Sequence, residues 1–175
     1  MKRELLVGCG NKRDKRIVLT GDTAEWSSLT TLDHDPDCDP DVLWNLNVLP
    51  LPFSDNEFDQ IHAYEVLEHC GAQGDYVAFF ALFSEFWRIL KHGGVLAATV
   101  PSLKSEWLWA DPGHVRAISQ GSLVFLSQNQ YKDQIGKTAM TDYRSVYKAD
   151  FETVYAHDDM SAFYFVLKAI KGGSV

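Results

Sequence analysis

A short apolar run, Leu5-Leu6-Val7, ends in Gly8-Cys9-Gly10-Asn11, and a second apolar run closes on Thr31-Leu32-Asp33 a little over twenty residues later. A strand that stops at a Gly-x-Gly turn, followed at this interval by a strand ending in an acidic residue, is the arrangement by which an open parallel sheet holds an adenosine-containing cofactor. Glycines at the end of the first strand let the backbone turn sharply and approach a ligand where a Cβ would clash. Gly8 and Gly10 are therefore expected to line the cofactor. The carboxylate of Asp33 offers two acceptor oxygens, enough to take hydrogen bonds from both hydroxyls of a ribose.

The remaining pattern supports such a sheet. Further strands are expected at 41–46, 58–64, 95–100, 151–157 and 162–170, the last two joined as a hairpin by Asp158-Asp159-Met160. From 74 to 91 the apolar residues Phe79, Leu82, Phe83, Phe86, Ile89 and Leu90 recur at three- and four-residue intervals, which is a helix, with His92-Gly93-Gly94 as its glycine C-cap. A second helix is expected over 120–128. Arg16 to Asp22 is β-branched and reads as extended chain, which leaves only Thr23 to Ser28 for a helix after the glycine loop. The expected architecture is a three-layer α/β sandwich with a mostly parallel seven-stranded sheet and an antiparallel C-terminal hairpin strand.

At 175 residues, 46% of them hydrophobic, the chain is expected to form one domain over residues 1–175. A net charge of -8 and a pI of about 5.1 argue against nucleic acid or an anionic membrane as partner, because both demand clustered Lys and Arg. The local exception is Asn11-Lys12-Arg13-Asp14-Lys15-Arg16, either a solvated loop or an attractor for a carboxylate or phosphate. Three cysteines without paired spacing, no bilayer-length apolar run, and a start that leads straight into a strand fit a soluble protein of the reduced cytoplasm. The acidic loop Asp33 to Asp39 lacks the glycine and terminal glutamate of a calcium loop, so no metal site is expected.

Taken in order, Leu-Leu-Val-Gly-Cys-Gly (5–10), Leu-Asp-His-Asp-Pro (32–36), Leu-Pro-Leu-Pro-Phe-Ser-Asp-Asn-Glu-Phe-Asp-Gln-Ile (49–61), Tyr-Glu-Val-Leu-Glu-His (64–69) and Phe-Trp-Arg-Ile-Leu-Lys-His-Gly-Gly-Val-Leu (86–96) resemble the class I, Rossmann-like S-adenosylmethionine-dependent methyltransferases, closest to the small type 11 group. The resemblance implies S-adenosyl-L-methionine as cofactor, with Gly8, Cys9 and Gly10 facing its methionine part. Asp33 would hold the ribose, His34 would flank the adenine, and Asn45 with Leu46 would stand beside it, Asn45 bonding the adenine amino group. Tyr64 and Glu65 would lie beneath the sulfonium. Two departures stand out: Asn11-Lys12 replaces the family's third loop glycine, and the first helix is shortened or replaced. They leave open a binding module that keeps the fold without the chemistry. A dinucleotide oxidoreductase fits less well, since its fingerprint needs the third glycine and the helix after it.

A sulfonium already activates the methyl group, so such an enzyme mainly aligns a nucleophile and excludes water. If the acceptor is a hydroxyl or an acid, a base helps. His114 in Asp111-Pro112-Gly113-His114-Val115-Arg116, in the loop after the fifth strand, is the candidate, with Asp111 beside it; the alternative is that the pair only stabilises its own loop. Glu68-His69 is a hallmark of the resembled family and reads as the cap and start of a helix, with a catalytic role as the alternative. Trp107, Trp109 and Tyr131 form either an aromatic wall for a flat or sugar-like acceptor or the packing of a lid. The expected partner is a small-molecule or sugar acceptor, or a protein side chain.

Overall fold

The computed structural model describes residues 1–172. Seven strands, β1 (Glu4–Val7), β2 (Leu29–Asp33), β3 (Val42–Leu43), β4 (Phe58–Tyr64), β5 (Leu90–Pro101), β6 (Phe151–Asp158) and β7 (Ala162–Ala169), form one sheet in the order β3-β2-β1-β4-β5-β7-β6. β1 to β5 pair in parallel, while β7 runs antiparallel between β5 and β6. The mostly parallel sheet with an antiparallel hairpin is the architecture expected. Because the chain leaves β1 toward β2 and β3 on one side and later returns to β4 and β5 on the other, a crevice opens at the carboxyl ends of β1 and β4.

One face of the sheet is packed as the periodicity dictates. Helix α1 (Tyr76–Ile89), capped by the Asp75 carboxylate accepting from the Ala78 N–H at 2.9 Å, buries Phe79, Phe80, Leu82, Phe83, Phe86 and Ile89. These meet Leu5, Val7, Ile61, Ala63, Leu96, Ala98 and Phe165 in a single core. The short helices α3 (Gln120–Val124) and α4 (Gln128–Gln134) add Leu123 and Tyr131 to the same core.

The opposite face is built differently. Strand positions that alternate with the core residues carry Glu4 and Leu6 on β1 and, paired beside them, Gln60 and His62 on β4, with Tyr64 following. All five are buried. Residues 11–28 cross this face without helix or strand, so the helix expected over 23–28 is absent. A helix covers a sheet with an apolar stripe, and these positions demand partners for charges and hydrogen bonds instead. The strap supplies them. Lys15 Nζ pairs with Glu4 Oε1 at 2.6 Å, Ser27 N–H donates to Glu4 Oε2 at 2.6 Å, Asp22 accepts from the Gln60 amide, and the Ile17 N–H donates to the Tyr64 hydroxyl at 3.1 Å. Among the described residues, Ile17 and Trp26 of the strap and Leu29 of β2 add apolar contact to Leu6, Cys9 and Tyr64.

Four further boundaries differ from expectation. The third strand keeps only Val42–Leu43 of 41–46. The long helix stops at Ile89 and β5 starts at once, at Leu90, so Gly93 and Gly94 cap no helix. They lie in a strand irregularity: Gly93 has φ 73, and a Cβ on Gly94 would stand 3.0 Å from the Asp59 and Lys91 carbonyl oxygens. The helix expected over 120–128 is two short ones, broken where Leu126 gives its carbonyl to the Phe151 N–H and the Asp150 carboxylate accepts from the Gln128 N–H. Glu68 and His69 start no helix; they belong to a single 3-10 turn, Leu67–His69, well before α1.

Candidate functional site

The crevice holds a cavity of about 400 Å³ lined by segments that follow four parallel strands: Gly8 and Gly10 after β1, Asp33 and His34 at and after β2, Trp44, Asn45, Leu46 and Asn47 after β3, and Glu65 and Val66 after β4. That size lies within the usual range of a small-molecule site. Leu32, His69 and Cys70 complete the wall.

Asp33 is the hub. Its Oδ2 accepts from the Gly10 N–H at 2.9 Å and its Oδ1 from the Asp35 N–H at 3.0 Å, which fixes the carboxylate; His34 Nδ1 stands 3.3 Å from Oδ1, and Oδ2 keeps a second lone pair. The two glycines do separate work. At Gly8, with φ 61, a Cβ would fall 2.3 Å from Val66 Cγ2, so the glycine admits the neighbouring side chain rather than a ligand. At Gly10, with φ 50, nothing lies within 4 Å of where a Cβ would be; this side faces open space. Glu65 holds φ 52, a conformation uncommon for a residue with a Cβ, and donates its N–H to the Thr99 carbonyl at 2.9 Å. Asn45 uses Oδ1 to accept from the Asn47 N–H at 2.9 Å, which leaves one lone pair on that oxygen.

Gly8, Gly10, Asp33, His34, Asn45, Leu46 and Glu65 thus meet in one cavity, whereas Cys9 and Tyr64 do not reach it. Tyr64 faces the strap by strand alternation, its hydroxyl 2.6 Å from His62 Nδ1, and Cys9, beyond the end of β1, reaches the same side after the turn at Gly8. Burial raises the Cys9 thiol above its ordinary pKa, which keeps it unreactive. Both residues line a smaller cavity of about 220 Å³ together with Gly8, Gly10, Asn11, Lys12, Arg16 and Glu65. The basic knot divides its labour there. Lys15 is consumed by Glu4, and Arg13 donates to the Cys38 and Asp39 carbonyls, while Lys12 and Arg16 stay beside the smaller cavity. Trp44, Asn47, Val66, His69 and Cys70 are wall residues that sequence reasoning missed. They sit in irregular segments with no periodicity to mark them.

At one end of the main cavity the loop after β5 is sewn onto the turn after β4. The Val115 and Arg116 N–H groups donate to the Glu68 carbonyl at 2.9 and 3.1 Å, the Gln73 N–H donates to the Val115 carbonyl at 2.7 Å, and the Arg116 guanidinium donates to the Ala72 and Asp75 carbonyls, each at 2.6 Å. This brings Asp111 and His114 against Glu68 and His69. The His69 and His114 rings meet edge to face at 4.7 Å. Glu68 is 1% exposed, neither of its carboxylate oxygens has a hydrogen-bond partner, and burial pushes its carboxyl up to about 8. Tyr131 is fully buried and donates its hydroxyl to the Phe125 carbonyl, so it belongs to the core rather than to an aromatic wall. Trp107 and Trp109, on the short helix α2 (Trp107–Ala110), are 74% and 73% exposed and pack no lid.

Residues 5–98 match the methyltransferase domain family. No curated protein matches the chain. Among solved structures, the putative methyltransferase of Haloferax volcanii, in complex with the Trm112 methyltransferase activator, is similar in fold with a TM-score of 0.64 and 13% identity, covering 99% of this chain and 84% of that one. The N-methyltransferase NodS of Bradyrhizobium japonicum, in complex with S-adenosyl-L-homocysteine, follows at 0.58 and 14%, covering 97% and 79%. The [4+2]-cyclase SpnF aligns at 0.55 and 15%, covering 98% and 76%.

Proposed function

The chain belongs to the methyltransferase domain family, as a class I S-adenosylmethionine-dependent methyltransferase, and from that premise we propose how its residues divide the work. S-Adenosyl-L-methionine supplies an electrophilic methyl on sulfur, which passes in line to an acceptor atom as the sulfur–carbon bond breaks, leaving S-adenosyl-L-homocysteine. Asp33 takes the ribose hydroxyls, and Gly10 offers the open backbone beside them. His34, Asn45 and Leu46 border the adenine, with Trp44 as a further flat surface. Glu65 and the smaller cavity receive the methionine end, where Lys12 and Arg16 complement its carboxylate. Cys9 and Tyr64 line that smaller cavity beside the glycine loop.

The observation that carries this reading is the Asp33 carboxylate, oriented by the Gly10 and Asp35 N–H groups inside a cavity of suitable size. His114 and Asp111 act on the acceptor side, where the loop after β5 closes one end of the cavity. An acceptor that loses a proton on methylation passes it there. The exposed indoles of Trp107 and Trp109 beside this loop favour a small molecule or sugar with a flat apolar face; a protein side chain is the second class of acceptor. A protein partner has its counterpart in the activator bound by the Haloferax neighbour. Among the described residues no helix is long and apolar enough to cross a membrane. The three buried free cysteines suit the reducing cytoplasm.

The test is release of S-adenosyl-L-homocysteine over a panel of hydroxylated small molecules, sugars and peptides. Turnover on one class, abolished in Asp33→Ala and reduced in His114→Ala, is the expected outcome; unchanged turnover in His114→Ala removes His114 from the acceptor side. A second reading, binding without transfer, is favoured by the strap that stands where a helix should follow the glycine loop. It predicts cofactor binding with no release on any acceptor.

A further inference from the structure

The cluster at the end of the cavity has a chemistry of its own. His69 and His114 each place Nδ1 on a backbone carbonyl, that of Gly113 at 2.9 Å and that of Leu108 at 3.3 Å. A carbonyl only accepts, so Nδ1 carries the proton in both rings and each Nε2 keeps a free lone pair. This is how proteins orient imidazoles toward a metal ion. The His114 Nε2 stands 3.8 Å from Glu68 Oε1 and 3.7 Å from Asp111 Oδ2. Both separations are too long for hydrogen bonds and close to the roughly 3.3 Å that two ligand atoms keep around a tetrahedral ion with bonds of about 2.0–2.1 Å. One ligand atom from each of Glu68, His69 and His114 lies within 4.8 Å of the other two.

The decisive residue is Glu68. A carboxyl this deeply buried, with neither oxygen hydrogen-bonded, leaves two unpartnered ligand oxygens at the cluster and can carry its charge there only beside a cation. The neighbouring cation is already committed: Arg116 donates to the Cys70, Ala72 and Asp75 carbonyls. Among the described residues, His114 is the one ionisable partner within 4.0 Å of the Glu68 carboxylate. Gly113 makes the approach possible, since a Cβ there would sit 3.1 Å from Asp111 Oδ1 and 3.2 Å from His69 Nδ1.

We infer that Glu68, His69 and His114, with Asp111 beside His114 at the rim, form a binding site for a divalent transition-metal ion. Two imidazoles and one carboxylate select zinc, cobalt or a similar borderline ion over magnesium or calcium, which prefer oxygen ligands throughout. The acidic loop after β2, with its four aspartates, takes no part. His69 also lines the cofactor cavity, so the ion stands on the acceptor side of it; with the ion bound, both His114 nitrogens are engaged and His114 acts on the acceptor through the ion instead of taking its proton. That role rests on the proposed methyl transfer; metal binding itself does not.

The test uses the untagged chain stripped with a chelator and titrated with Zn²⁺ in a calorimeter and with Co²⁺ by its visible d–d bands. The inference predicts one saturable equivalent of either ion, weakened 10–100-fold in Asp111→Asn, more in Glu68→Gln, and lost in the His69→Ala/His114→Ala double variant, with Mg²⁺ giving no comparable binding. Thermal unfolding of each apo variant separates a lost ligand from a lost fold, and Glu68→Gln keeps the side chain's shape. No saturable binding by the parent chain, or binding undiminished in the double variant, overturns the site. S-Adenosyl-L-homocysteine titrated into the stripped chain keeps the two proposals apart. Zn²⁺ binding without it supports the metal site and counts against the cofactor assignment, and the reverse result overturns the metal site alone.

Discussion

The two faces of the sheet bury comparable strand positions by opposite means. Under α1 the core is aromatic and aliphatic, and its contacts are non-directional. Under the strap, Glu4, Gln60, His62 and Tyr64 are held by an ion pair and a chain of hydrogen bonds to residues 15–27. An apolar face tolerates changes that conserve volume. A buried polar face tolerates almost none of its members being removed alone, because each removal strands a partner. The glycine loop hangs from the second kind of face, so the cofactor site inherits its sensitivity to charge and pH.

The comparison is broken most severely on the α1 side by Phe86→Ala. It empties a fully buried aromatic position and should cost about 3–5 kcal/mol in urea unfolding, with little change in any cofactor affinity that survives. On the strap side Glu4→Gln leaves Lys15 buried and unpaired, with a similar expected loss of about 3–5 kcal/mol. The contrast sharpens in the double variant Glu4→Met/Lys15→Met. Replacing both charges should recover most of that loss, whereas no second substitution of comparable simplicity refills the Phe86 cavity. If Glu4→Gln is nearly silent, the strap is not held by this pair.

Acid separates the faces more gently. Burial holds His62 at about 3, against 6.5 unperturbed, with the Lys15 charge adding to the effect and Asp22 opposing it. Below pH 6.5 the unfolded chain takes up a proton that the folded chain refuses until about pH 3. Stability from this group is therefore complete above pH 6.5 and lost as pH falls toward 3, at no more than about 1.4 kcal/mol per pH unit. Denaturant midpoints across this window, compared with those of His62→Gln, measure it: the variant's profile should be flatter. The smallest expected effect is at the exposed indoles. Trp107→Ala and Trp109→Ala should move stability by less than about 0.5 kcal/mol, so any large loss of turnover in them reports on the acceptor.

The same contrast explains what could be read from the chain. β1, β2, β4, the long helix and the terminal hairpin were legible because apolar residues recur there with a period of two or three to four. The strap was not, although its cause is visible in hindsight: Gln60, His62 and Tyr64 alternate with Ile61 and Ala63, marking a polar strand face that an amphipathic helix cannot cover. Gly93-Gly94 misled because glycine serves a strand irregularity as readily as a helix C-cap. At the site, Gly10, Asp33, Asn45 and Glu65 followed from strand ends. Tyr64 faces the strap because strand alternation puts it with Gln60 and His62, and Cys9 does because the chain turns at Gly8, with φ 61; a motif states neither. The Glu68–His69–Asp111–His114 cluster escaped because α1, β5 and α2 separate its two halves in the chain, which meet only when Val115 and Arg116 bond to the Glu68 carbonyl.

The most direct measurement is calorimetric titration of the chain with S-adenosyl-L-methionine, S-adenosyl-L-homocysteine and NAD, with Asp33→Ala as the comparison and its unfolding midpoint as the control for folding. Saturable binding of both adenosyl ligands and not of NAD, lost in a folded Asp33→Ala, is the predicted result. Failure of either adenosyl ligand to bind the parent chain, or binding that Asp33→Ala leaves unchanged, would contradict the assignment of this cavity as the cofactor site.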